Sequence, residues 1–297
     1  MPLFDQPLTE LLAATTPDQT CTRIAKAVPL VHFPARVPFA QWVDWNELSS
    51  PCKRQSSPKK SAAPFDDDCW RFVYFYVGVS CYQVTRTEAH GDSVALFCND
   101  ALDRSNGLGS PFDTGAWLRQ PPLLQPNAGL DADTQQQERA QRLREKMSVV
   151  LKDWRDTFAK WLAHCYEVPA DYLAANGDLY ADGTPKRTAP EALLSHNGSS
   201  GKSQYPSLNP QKPHHYQCCD RRAWTWELRC EDEVSFEHIT HVIVLPSIES
   251  DADDLCNKIY QQHGKRVHAV VARAEGVQFE QVLCLCSAQQ AQSMVKR

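Results

Sequence analysis

The segment spanning residues 222–246, RAWTWELRCEDEVSFEHITHVIVLP, constrains the fold more than any other part of the chain. From Ala223 to Cys230 the bulky set Trp224, Trp226, Leu228 and Cys230 alternates with Ala223, Thr225, Glu227 and Arg229, the period-2 pattern of a strand with two unlike faces. Glu227 and Arg229 therefore project together. The polar turn Glu231-Asp232-Glu233 leads through Val234-Ser235-Phe236-Glu237-His238 into residues 239–245, a β-branched run that predicts a strand buried on both faces. A carboxylate among aromatic and apolar residues needs a reason. Either Glu227 and Arg229 are solvated neighbours on an exposed strand face, or the acid belongs to a site, and the strand alone leaves both readings open.

The rest of the chain supplies partners for such a strand. Residues 1–27 predict a helical lead-in, and residues 28–33 a short apolar strand. Residues 38–48 predict a helix with Pro38 in its first turn. Residues 49–64, rich in Pro, Ser and Lys, predict a flexible surface loop. Residues 70–82 carry the strongest strand signal, dense in aromatic and β-branched residues, and should be central; residues 93–98 are a second strand. Residues 106–117 are punctuated by glycines and predict a loop. Leu143, Met147, Val150, Trp154, Phe158 and Trp161 recur at helical spacing, so one long helix is expected from Asp133 to about His164, its stripe serving as core. Residues 176–216 run through clusters of Gly, Pro, Ser and Asn and predict a long irregular insertion. Ser250 should cap a helix ending at Gly264, followed by a strand over residues 267–272. The fold class expected is α+β: a single elaborated domain over 1–297, with a mixed twisted sheet and one long helix packed on it.

Composition bounds the function classes. The 297 residues are 42% hydrophobic and 23% charged, and 31 basic against 36 acidic residues leave a net charge of −5. That balance suits a globular chain and gives no global positive field toward nucleic acid or an anionic membrane. The first residues hold no positive leader with an apolar core, and no run of about 18 apolar residues occurs, so a cytoplasmic protein with no membrane partner is expected. In that setting the twelve cysteines predict reduced core thiols rather than a disulfide framework.

The order of elements in 222–246, a strand bearing an acid, an acidic turn, a V-x-x-E-x-I step (Val234, Glu237, Ile239) and a hydrophobic strand, resembles the C-terminal half of ADP-ribosyltransferase folds. The resemblance implies an enzyme that holds NAD across a split mixed sheet, with Glu227 as the catalytic glutamate. It implies a histidine or arginine near the start of the fold, and His32 is similar to that position, although Pro34 stands where the histidine-bearing branch usually has Thr or Ser; Arg36 and Arg71 are alternatives. It also implies that Tyr74 or Tyr76, on the aromatic strand, stacks on nicotinamide. In the loop over residues 110–115, Asp113 and Thr114 offer hydrogen bonds to ribose, while Gly115 allows backbone to approach a phosphate. The acceptor, a protein, a nucleic acid or a small molecule, is left open, as is a role as toxin or defence effector.

Each of these residues has a plainer reading: a hydrogen-bonded core histidine, core tyrosines, an Asx turn. A non-enzymatic interaction module is the alternative from another class, and a metal-dependent nuclease built on Asp66-Asp67-Asp68 and Glu227 is a weaker one. A P-loop fails, because the glycine required before Gly201-Lys202-Ser203 is His196. His214, His215, Cys218, Cys219 and Cys230 crowd together as zinc ligands would, yet the C-x2-C pairs of structural zinc are missing, so no metal is expected.

Overall fold

The computed structural model describes residues 7–32, 45–49, 72–78, 93–112, 114, 132–165, 226–244 and 249–271. The fold is α+β. The order along the chain is α1 (Leu8–Leu11), α2 (Gln19–Ala27), β1 (Leu30–His32), β2 (Glu47–Leu48), β3 (Val73–Val77), β4 (Ser93–Phe97), β5 (Gly107–Ser110), α3 (Ala132–Lys146), β6 (Val149–Val150), α4 (Trp154–Cys165), β7 (Glu227–Cys230), β8 (Val234–Ser235), β9 (Ile239–Val244), α5 (Glu249–His263) and β10 (His268–Val271). Eight strands form one sheet in the order β10-β9-β4-β1-β3-β7-β5-β6, and β2 pairs with β8 apart from it. Every pair in the large sheet is antiparallel except β9 with β10, so the sheet is mixed.

Local chemistry explains most of the elements. Asp18 caps α2, its carboxylate accepting from Cys21 N at 2.7 Å, one of the orphan amides at a helix start. Gly264, at φ +65°, turns the chain out of α5 while its N–H bonds Tyr260 O at 2.9 Å, the left-handed stop expected there. The connection β9-α5-β10 joins parallel strands through a helix, as such strands require. The aromatic strand β3 lies between β1 and β7, inside the sheet as expected.

Register separates the two faces of the sheet. Leu30 lies opposite Val77 and Phe97, His32 opposite Ala95, Phe75 opposite Leu228, and Leu228 opposite Gly109. This face joins the core with Cys21, Ile24 and Ala25 of α2, Trp154, Phe158 and Trp161 of α4, and Ala252, Leu255 and Ile259 of α5. Its centre is aromatic: Trp226 meets Phe158 edge-on at 5.3 Å and Trp161 at 5.8 Å, and Phe75 meets Phe97 at 5.2 Å, geometries favoured by the ring quadrupole. Gly109 makes room for its neighbour on β7, since a Cβ there would stand 2.9 Å from Leu228 Cδ2. The opposite face presents Val31, Tyr74, Tyr76, Leu96, Ser110, Glu227 and Arg229.

Three expectations are corrected. The single helix over 133–164 is two, α3 and α4, because Ser148 directs its hydroxyl to Leu143 O at 2.9 Å and the β-branched pair Val149-Val150 joins β5 instead. Val150, placed on the buried stripe by spacing, is 46% exposed. The glycine-punctuated stretch is in part a strand, β5, with Gly107 at φ +142° where a Cβ would strike Arg229 O. The end of the helix expected over residues 38–48 is strand β2, with Leu48 buried and opposite Val234; tertiary pairing overrides local propensity. The loop beyond residue 49 and the 176–216 insertion lie outside the described residues. No helix among the described residues is long and apolar enough to cross a membrane.

Candidate functional site

Strand β7 sets the site. Glu227 stands directly opposite Tyr76 of β3 on one side and Ser110 of β5 on the other; two residues on, Arg229 stands opposite Tyr74 and Leu108. The solvated reading of this pair fails, because Glu227 is 2% and Arg229 7% exposed. Charges so buried need satisfied partners. Thr114 supplies one: its hydroxyl, itself buried, donates to Glu227 Oε1. The loop after β5 and the acid on β7 thus meet, across a sequence separation of 113.

Arg229 is held by hydroxyls. Its Nη2 donates to Ser148 Oγ at 2.7 Å and to Ser110 Oγ at 3.2 Å, and the two serine oxygens are 2.8 Å apart. Since the single hydroxyl hydrogen of Ser148 is directed to Leu143 O, Ser110 is the donor to Ser148 and accepts from the guanidinium. The break between α3 and α4 is what brings Ser148 here. Phe72 lies beside the guanidinium, with Arg229 Cζ 5.9 Å from its ring centroid, within cation–π range. Among the described residues Arg229 Nε is buried with no hydrogen-bond partner, a donor left open on a fixed cation.

His32 does not belong to this group. Register puts it on the helix-covered face, opposite Ala95, with its ring 5.4 Å from that of Phe75. Its Nδ1 lies 2.7 Å from Tyr74 O, so that nitrogen carries the proton and the histidine pins the aromatic strand from behind. Alternation decides this: Val31, not His32, shares the face of Tyr76 and Glu227. Asp113 and Gly115 lie outside the described residues, as do Arg36, Arg71 and the acids at 66–68.

The acid, the two tyrosines and Thr114 were singled out by sequence; Arg229 as an anchored cation, with Ser110 and Ser148, was not. Period-2 alternation pointed to Arg229, but its serine partners come from segments expected to be loop and helix interior. Of the cysteines and histidines weighed as zinc ligands only Cys230 is described, and it faces the core, its thiol donating to Asp232 O at 3.4 Å. The face can neutralise a developing cation at Glu227 and hold an anion at Arg229. No protein-family model, curated protein or solved structure matches the chain.

Proposed function

We propose that the charged face of the sheet is the active site of an NAD-dependent ADP-ribosyltransferase-like enzyme. The observation that carries this reading is the junction of Glu227 with Thr114, a buried carboxylate joined to the loop that sequence assigned to ribose. Two further features support it. The His32 strand, the tyrosine strand and the glutamate strand, which the resemblance names in chain order, are immediate neighbours in the sheet. Tyr76 also lies directly across from Glu227, so an aromatic residue pairs with the acid.

The chemistry follows from charge. When the bond from ribose C1′ to nicotinamide breaks, the electron pair leaves with the neutral nicotinamide and the sugar becomes oxocarbenium-like. A carboxylate fixed beside that carbon stabilises this state more than the ground state. Glu227 is preorganised for it, since Thr114 and its place within the sheet restrict its rotamers. Arg229, locked by Ser110 and Ser148, has the fork geometry that grips a phosphate. The acceptor nucleophile then bonds to C1′ and loses its proton.

The test is turnover of NAD by the full chain. Nicotinamide release should be measurable, and Glu227→Gln should lower it by roughly a hundredfold or more, about 3 kcal/mol, with NAD affinity largely kept. Undetectable NAD binding at millimolar concentration in calorimetry would defeat the proposal, as would a Gln variant of unaltered turnover.

A further inference from the structure

A second cluster lies away from the charged face, where β4 ends and the turn before β9 begins. Half-buried Cys98 and His238 and exposed Asp100 each offer one ligand-capable atom, and these atoms all lie within 4.8 Å of one another. Cys98 Sγ and His238 Nδ1 are 3.6 Å apart. A tetrahedral zinc, with Zn–S of about 2.3 Å and Zn–N of about 2.0–2.1 Å, holds its sulfur and nitrogen ligands about 3.6 Å apart. The spacing is that of a site needing little adjustment.

Proton accounting points the same way. On the far side of the imidazole, His238 Nε2 is 3.2 Å from Glu237 Oε1. That carboxylate draws the ring proton to Nε2 and leaves the Nδ1 lone pair facing the cysteine. A carboxylate orienting a histidine from behind is the usual outer shell of a metal-bound imidazole. One lone pair, one carboxylate and one thiol thus converge, with a single thiol hydrogen to share among them. A cysteine nucleophile fits poorly here, because burial first, and then the hydrogen bond and negative charge of Asp100, push the Cys98 thiol up; a divalent cation turns the same neighbours into ligands.

The ligands are held by a braced scaffold. Cys98 N bonds His238 O at 2.9 Å, tying the two ligand segments together. Asn99, between Cys98 and Asp100, donates to Ala25 O at 3.0 Å and Val28 O at 2.7 Å, and Arg155 donates to Asn99 and Asp103. Ala101 N and Asp103 N bond Cys98 O and Asp100 O. Lys265 donates to Glu237 O at 2.7 Å, fixing the turn that carries His238. Sites set on rigid, hydrogen-bonded supports hold metals best.

We infer that Cys98, Asp100 and His238 form a zinc site with one position open to water, Glu237 orienting the histidine. The mixed sulfur, nitrogen and oxygen set suits zinc rather than calcium or magnesium.

Cobalt(II) is the probe. The full chain, stripped with chelator and titrated with Co²⁺ under reducing conditions, should bind one-to-one with the visible bands of a tetrahedral ion and a near-ultraviolet thiolate-to-cobalt band. Zn²⁺ should displace it. Cys98→Ser should abolish the thiolate band, His238→Gln should leave it while weakening binding, and Glu237→Gln should weaken binding by roughly 10–100-fold. Absence of tetrahedral cobalt bands overturns the inference, and so does a thiolate band that survives in Cys98→Ser, which would place the metal on other cysteines. If Cys98→Ser fails to fold, the His238→Gln titration decides, since affinity equal to the parent excludes the site.

Discussion

On the helix-covered face of the sheet, Phe75, Phe97 and Leu228 are buried in one core with Trp154, Phe158 and Trp161. One residue away along the same strands, Tyr76, Leu96 and Glu227 are buried too, with Arg229, Ser110 and Thr114 beside them. The two faces differ in what burial demands. Apolar packing is non-directional and stabilises in proportion to area. Each buried polar group must be matched atom by atom or it destabilises; among the described residues Arg229 Nε on the charged face and the indole N–H groups of Trp154 and Trp226 on the helix-covered face have no hydrogen-bond partner.

That comparison can be broken at either face. Trp226→Ala should have the largest effect on folding, about 3–5 kcal/mol, because Trp226 meets both Phe158 and Trp161. Urea denaturation measures it, and NAD binding below the new transition should be unchanged. If this variant loses NAD binding while still folded, the faces are not separable. Glu227→Gln should do the reverse, lowering turnover by about 3 kcal/mol while changing stability by less than about 1 kcal/mol, since the amide oxygen still accepts from Thr114. A thermal melt shifted as far as that of Trp226→Ala would make Glu227 a structural residue.

His32→Ala sharpens the boundary. It removes the donor to Tyr74 O and a ring packed on Phe75, so stability should fall by about 1–3 kcal/mol with turnover unchanged. A selective loss of turnover would return His32 to the site.

The smallest effect is in alkali. Burial, reinforced by Asp18 and Asp253 respectively, pushes the Cys21 thiol on α2 and the Cys256 thiol on α5 up to about 11, against an ordinary value of 9.0. The folded state therefore keeps these protons at pH values where the unfolded chain has lost them. The contribution is fully present below about pH 9 and is lost as pH rises through about 11. Melting temperature should decline over that window, less steeply in Cys256→Ala; an equal slope in that variant would show that the thiol is not titrating as described.

Sequence by itself located β1, β3, β4, β7, β9 and α5, and showed that Glu227 and Arg229 share a face, because period-2 and period-3.6 patterns are written in neighbouring residues; the bounds differ, since α5 begins at Glu249 and takes in Ser250, expected as its cap, and β3 spans Val73–Val77. It read one helix where Ser148 and Val149 divide two, since the stripe of Leu143, Met147, Trp154, Phe158 and Trp161 is real on both sides of the break and the competing partner, β5, lies far upstream. It could not tell a solvated Glu227 from a buried one, because alternation gives the direction of a side chain and not what covers it. Tertiary structure alone decided that His32 faces away from Glu227, a consequence of how β1 registers on β3. It alone joined Thr114 to Glu227, Ser148 to Arg229 and Cys98 to His238, pairs 113, 81 and 140 residues apart. Contacts at such separations leave no local signature, since the closure entropy of the chain between them is offset only once the whole sheet has formed.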